Sequence, residues 1–246
     1  MKQQTYYILG LFIGLSSRIK KFILGLKSPR PRMLSLGDYD KNLNYDREIL
    51  KMIMNLAANP DLFKDKNVLE IGPGPDLMLG LLSLESGASS YSAIDYFPVL
   101  SAPVSFYEKI KNDLKAPIAL KAVDSVINSL SKSEAINSSD FSYKIRGIED
   151  LKDEEVKYDI IFSKDVLEHV DDLDASFVAM RKSLASGGMM IHKIDFQTHT
   201  SFIQDKDRLN FLRYSENIYK KFVKFRGGPN RLRLPELISI AEKMDL

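Results

Sequence analysis

Cysteine is absent from all 246 residues. Disulfides, thiolate metal centres and a thiol nucleophile are therefore excluded. Tryptophan is absent as well. Acids are missing from one region: residues 1–33 hold seven cations (Lys2, Arg18, Lys20, Lys21, Lys27, Arg30, Arg32) and no Asp or Glu, leaving 28 cations against 33 acids in the remainder. A net charge of +2 is too small to point to nucleic acid. No long hydrophobic run opens the chain: the uncharged stretch Gln3–Ser17 has 15 residues, short of the roughly 20 that a spanning helix needs. The rest of the composition, 44% hydrophobic and 28% charged, excludes wholesale disorder, a collagen-like repeat and a polytopic membrane protein.

The basic region reads as an arm, residues 1–33, ahead of a mildly acidic body, residues 34–246. As a helix, Ile8, Phe12, Leu15, Ile19, Phe22 and Leu26 fall on one apolar stripe, with Arg18, Lys20, Lys21 and Lys27 off it. This is the pattern of a helix lying in a membrane interface through residues 5–27; the alternative is a helix packed on the body or on another subunit. Ser28-Pro29-Arg30-Pro31 then breaks the helix and acts as a linker. No A-x-A-like cleavage site follows the apolar stretch.

The body alternates strands and helices. Tyr45–Ala58 has helical spacing. Asn67–Ile71 reads as a buried strand, Leu77–Leu84 as a helix, and Ser90–Ile94 as a second strand closed by Asp95. Residues 98–139 accommodate two helices and a loop. Phe141–Arg146, Tyr158–Phe162 and Met189–Ile194 complete five strands, and the helix Ala175–Leu184 is stopped by Ser186-Gly187-Gly188. Such alternation predicts a doubly wound, mostly parallel α/β sheet with helices on both faces, Rossmann-like in plan.

Glu70-Ile71-Gly72-Pro73-Gly74-Pro75-Asp76 follows the first strand, and Asp95 closes the second. Ligands of such sheets sit at the carboxyl ends of the strands, and an acid about 20 residues beyond the first glycine is where a ribose diol is gripped. A nucleoside-containing ligand is the default. A nicotinamide dinucleotide fits poorly: Leu77 stands where its fingerprint has a third glycine, two prolines remove backbone donors, and Asp76 would repel a phosphate. S-adenosylmethionine fits better, having a sulfonium, an ammonium, a ribose and no phosphate.

VLEIGPGPDL, AIDYF, YDIIFSKDVLEHVDD and LASGGMMIHKIDF, in that order over about residues 45–195, resemble the class I S-adenosylmethionine-dependent methyltransferases. HKIDFQTHTSF, NFLRYSE and NRLRLPEL resemble members encoded beside polysaccharide and glycolipid assembly enzymes. The resemblance implies that Glu70, Gly72 and Gly74 line the methionine end of the cofactor, Asp95 binds both ribose hydroxyls, and Tyr96 packs on the adenine. Ile148 and Glu149 would border the adenine edge; Gly147 stands where an Asp often meets the adenine amine. Ser163, Lys164 and Asp165 would face the transferred methyl group.

Methyl transfer is in-line displacement at carbon, and a hydroxyl acceptor also needs a base. The three histidines, His169, His192 and His199, with Asp165, are the candidates. A His192–Asp195–His199 metal set also has suitable ligand types, but such sets arise often by chance, and no metal is expected. Residues 196–233, polar and aromatic (Phe202, Phe211, Tyr214, Tyr219, Phe222, Phe225), are read as a lid over the acceptor, with Arg213, Arg231 and Arg233 offered to an anionic one. Leu234–Met244 is an amphipathic helix. The family continues with two further strands, so the C-terminal strand pair is expected to be missing here. The expected activity is O-methylation of a glycan, a glycolipid precursor or another small molecule, by a cytoplasmic enzyme with peripheral contact to the inner membrane and no nucleic-acid partner. The rivals are an NAD-dependent oxidoreductase and a non-catalytic scaffold.

Overall fold

The computed structural model describes residues 2–23, 32–132, 134–224 and 228–246. The Ser28–Pro31 linker, Leu26, Lys27 and Phe225 lie outside them, as do the side chains of Arg18, Lys20, Lys21 and Phe22. The described chain forms two compact units, one of residues 30–164 and 178–192, the other of residues 1–29, 165–177 and 193–246.

The first unit is built on a sheet of five strands, β1 (Asn67–Ile71), β2 (Ser90–Asp95), β3 (Phe141–Ile145), β4 (Tyr158–Lys164) and β5 (Leu184–Lys193), in the order β3-β2-β1-β4-β5. The β1/β2, β1/β4 and β2/β3 pairs are parallel. Val68, Leu69, Glu70 and Ile71 of β1 are all buried, the unbroken run expected of a central parallel strand covered on both faces. Strand order reverses between β1 and its neighbours β2 and β4, so the crevice for a ligand opens beyond the carboxyl end of β1.

Helix α2 (Tyr39–Leu56) buries Tyr39, Leu43, Asp46, Ile49, Leu50 and Ile53, a helical stripe with one acid in it. Helix α3 (Met78–Glu85) is buried on every side from Met78 to Leu84. Gly80 of α3 lies against the ring of Tyr91, which takes the space a Cβ would need. Helices α4 (Val104–Ile110) and α5 (Pro117–Lys132) fill the segment between β2 and β3, as the spacing there anticipated.

The structure moves two boundaries. Helix α6 (Leu173–Ser183) ends before the Ser-Gly-Gly segment, and β5 starts at Leu184, five residues ahead of the expected Met189. The glycines belong to the strand rather than to a helix stop. A Cβ on Gly188 would stand 2.9 Å from the Asp159 carbonyl oxygen, so the close approach of β5 to β4 requires glycine. His169 lies in a 3-10 turn, Leu167–His169, rather than at the start of a helix. Among the described residues no strand follows β5.

The second unit contains α1 (Lys2–Ile23), the short helices α7 (Ser201–Gln204) and α8 (Glu216–Ile218), a π turn at Tyr219–Val223, and α9 (Leu234–Glu242). Phe211, Tyr214 and Tyr219 form its aromatic centre, with Tyr7 and Leu11 of α1 packed on it. Helix α1 is therefore laid on the segment read as a lid. No described helix is long and apolar enough to cross a membrane.

Candidate cofactor and acceptor sites

The glycine loop leaves β1 through two left-handed residues, Gly72 at φ 70° and Gly74 at φ 80°. A Cβ at Gly74 would meet nothing within 4 Å, so the loop encloses open space there. The Asp95 carboxylate, at the end of β2, accepts from the Gly74 N–H at 3.3 Å and from the Tyr143 hydroxyl at 3.3 Å. Burial pushes Asp95 up to about 7, against the two hydrogen bonds that lower it. Tyr96 is 57% exposed and stands edge-on to Phe97, with a ring centroid separation of 4.9 Å. A Cβ on Gly147 would lie 3.7 Å from the Tyr96 ring and 2.7 Å from Glu149 Oε2. Gly147, Tyr96 and Glu149 thus come together beside the β2 and β3 ends, and Ile148 is buried under them. This set fits S-adenosylmethionine: an open backbone cradle, an acceptor for a diol, and an exposed aromatic face.

Beneath the loop lies a buried group of charges. Glu70 is 1% exposed and accepts from the Tyr91 hydroxyl at 2.5 Å. Burial raises Glu70 to about 8, with the Lys164 ammonium pulling it down and Asp46 and Asp76 pushing it up. Asp76 is raised to about 6 by burial and by Asp46; it accepts from the Met78 N–H at 3.0 Å at the start of α3 and from Asn42 at 3.1 Å. Lys164 is the cation of the group, donating to Asp46 at 2.8 Å. Three carboxyls face one ammonium, so a ligand bringing positive charge is favoured and a pyrophosphate is not.

At the ends of β4 and β5, Ser163 Oγ lies 2.8 Å from His192 Nδ1. Burial drives His192 down to about 4, so this imidazole is neutral at neutral pH.

In the other unit, Asp165 (φ 58°) gives its N–H to the Lys193 carbonyl at 2.8 Å and forms an ion pair with Lys193 Nζ. His169 and His199 meet edge-on with ring centroids 4.8 Å apart. His199 Nε2 lies 3.6 Å from Asp195 Oδ2. Glu168 is buried and receives the Asp195 N–H at 3.3 Å; burial raises it to about 7. A cavity of about 360 Å³ is bounded by Gly10 and Ile13 of α1 and by His199, Phe202, Phe211 and Tyr219. Its size suits a small acceptor or part of a larger one.

The sequence-nominated residues thus fall into five groups: Gly72, Gly74 and Asp95 with Tyr96, Ile148 and Glu149; Glu70 with Lys164; Ser163 with His192; His169 with His199; and Asp165 paired with Lys193. The three arginines offered to an anionic acceptor are engaged elsewhere. Arg213 pairs with Asp207 at 2.8 and 3.0 Å, Arg231 with Glu216 at 3.2 Å, and Arg233 donates to the Phe196 carbonyl at 2.8 Å. Sequence reasoning missed Asp46, Tyr91 and Tyr143, which hold Lys164, Glu70 and Asp95. Asp46 carried a readable signal, an acid in register with the apolar stripe of α2.

A methyltransferase domain family matches residues 39–243. No curated protein sequence matches the chain. Among solved structures, phosphoethanolamine N-methyltransferase 2 of Haemonchus contortus, in complex with S-adenosyl-L-methionine, is similar at 19% identity over 82% of this chain and 36% of its own, with a TM-score of 0.47. The YcgJ protein of Bacillus subtilis is similar at 11% identity over 80% and 68%, TM-score 0.48. An S-adenosylmethionine-dependent methyltransferase of Mesorhizobium loti is similar at 15% over 54% and 48%, TM-score 0.36. With the family matched from α2 to α9 on a parallel sheet carrying the glycine loop and an acid at the end of β2, the chain belongs to the class I S-adenosylmethionine-dependent methyltransferases.

Proposed function

We propose that this chain transfers a methyl group from S-adenosylmethionine to an oxygen of a glycan, a glycolipid precursor or another small molecule. The observation that carries the donor half is Asp95 at the end of β2, bonded to the N–H of Gly74 beside open space. The bound donor supplies an electrophilic methyl on a sulfonium, which leaves as a neutral thioether. Gly72 and Gly74 would let it approach the backbone, Asp95 would take its ribose hydroxyls, Tyr96 would pack on its adenine, and Ile148 with Glu149 would border the adenine edge.

Within its own unit, His199 is the side chain best set to take a proton. It lines the cavity, and Asp195 stands 3.6 Å from Nε2, placed to orient the ring and stabilise the imidazolium formed on proton transfer. His192 is the weaker base, since burial holds it near 4, and it acts by positioning Ser163. Engagement of Arg213, Arg231 and Arg233 in internal bonds favours a neutral hydroxyl acceptor over a phosphate or uronate.

Calorimetric titration tests the donor half. S-adenosylmethionine is expected to bind wild type with micromolar affinity and to fail with Asp95→Ala, while NAD fails with both. Binding of NAD in place of S-adenosylmethionine would assign the crevice to an oxidoreductase. Transfer of labelled methyl to glycan or glycolipid extract fractions then tests the acceptor half, and binding without transfer to any fraction would favour a non-catalytic role.

A further inference from the structure

Helix α1 has two apolar faces, and only one is covered. Tyr7, Gly10, Leu11 and Gly14 form the packed face. The Tyr214 hydroxyl donates to the Tyr7 carbonyl at 2.9 Å, the two tyrosine rings are 4.6 Å apart, and Asn210 donates to the Tyr6 carbonyl at 3.0 Å. A Cβ on Gly14 would stand 2.7 Å from the Phe222 carbonyl oxygen, so this contact needs small residues. The second face holds Ile8, Phe12, Leu15 and Ile19, spaced as one helical row and exposed by 66, 70, 43 and 50%. Amphipathicity would assign this row to a core, yet packing uses the glycine face instead. Phe202 of the same unit, 81% exposed, lines the cavity that Gly10 and Ile13 line and adds to the uncovered apolar surface.

We propose that this row is a docking face for an anionic membrane, with Ile8, Phe12, Leu15 and Ile19 seated at the boundary between headgroups and acyl chains. Four large apolar side chains in a row, held in water by a helix packed on its other side, call for an apolar cover. Charge selects which one. Residues 1–33 contain seven cations and no acid, which attract anionic headgroups. A second copy of this chain would bring an arm of the same charge, so pairing arm to arm is opposed by like charge. The docking face stands on packing and charge alone and is independent of the acceptor.

Vesicle co-sedimentation tests it, using phosphatidylcholine alone and phosphatidylcholine mixed with phosphatidylglycerol. Wild type is expected to bind the mixed vesicles at least about tenfold more tightly than the neutral ones, with the difference reduced by salt. Ile8→Asp/Phe12→Asp is expected to lose about tenfold or more of that binding while keeping its S-adenosylmethionine affinity and melting temperature. Should that variant misfold, Ile8→Ser/Phe12→Ser gives the same comparison without added charge. Arg18→Ala/Lys20→Ala/Lys21→Ala is expected to weaken binding to the anionic vesicles only. Wild type that stays in the supernatant with both vesicle types overturns the proposal. So does a folded double variant that binds as wild type does. A wild-type dimer that Ile8→Asp/Phe12→Asp dissociates, without vesicle binding, would give the row to a second copy instead. Wild type that pellets with anionic vesicles yet fails to bind S-adenosylmethionine would overturn the donor reading and leave this one standing.

Discussion

Asp95→Asn is expected to make the protein more stable and to abolish donor binding. Burial raises the Asp95 carboxyl from 3.8 to about 7, so the folded state keeps a proton there that the unfolded chain has already released. The sign follows: stability falls as pH rises from about 4 to about 7, and the full deficit is present above 7. About three pKa units at about 1.4 kcal/mol each set a ceiling of about 4 kcal/mol, and partial exposure of the carboxylate reduces it to about 2 kcal/mol. An Asn keeps a carbonyl oxygen for the Gly74 N–H and the Tyr143 hydroxyl, so neither donor is orphaned. At pH 8 the variant should melt about 4–8 °C above wild type, and at pH 4 the two should coincide. Donor at a hundredfold excess over Kd adds about 2.7 kcal/mol to wild type and nothing to the variant. Differential scanning calorimetry at the two pH values, with and without S-adenosylmethionine, reads both effects. Equal melting temperatures at pH 8 would refute the burial argument, and a donor Kd within about threefold of wild type would refute the ribose assignment.

Gly74→Val forces a branched side chain into a left-handed φ of 80° and fills the open cradle; donor Kd should rise more than about tenfold, with a stability loss of about 1–2 kcal/mol by calorimetry. Asp46→Ala removes the carboxylate that accepts from the buried Lys164 ammonium, leaving only Glu70 and Asp76 near it, and chemical denaturation should show a loss of about 3 kcal/mol. His199→Ala should lower kcat for a hydroxyl acceptor by about a hundredfold without changing donor affinity, whereas His192→Ala should change kcat less. Single-turnover transfer of labelled methyl distinguishes them.

The strands of the sheet were legible because each is a short apolar run bounded by turn residues, and the central ones are buried on both faces. The turn after β1 and the acid closing β2 were legible as structure because their spacing along one chain segment is itself the signal. Where the sequence misled, a tertiary contact had displaced a local preference. Gly187-Gly188 reads as a helix stop, yet Gly188 is there because the Asp159 carbonyl approaches to 2.9 Å of where its Cβ would be. The apolar row of α1 fits an interfacial or a packed face alike, and it is the glycines of the other face that Tyr214 and Phe222 contact. Tyr143 and Tyr91 were invisible as site residues because their partners, Asp95 and Glu70, are 48 and 21 positions away and meet them only through strand register. Arg213 looked like an anion ligand because its partner Asp207, six positions away, pairs with it through a loop rather than a helix turn.

The charge state of the crevice gives one more discriminating measurement. Glu70 is held near 8, Asp76 near 6 and Asp95 near 7, so at pH 7 the site retains protons that water would have removed. A ligand carrying sulfonium and ammonium charges favours the ionised carboxylates, and a diol donating to Asp95 does the same. Both lower these pKa values, so donor binding at pH 7 should expel protons, on the order of 0.5–1 per site. A pyrophosphate would act in the opposite direction and draw protons in. Titration calorimetry in two buffers of different ionisation enthalpy measures the sign directly. Net uptake on S-adenosylmethionine binding would mean that the buried acid excess does not serve the donor's charge.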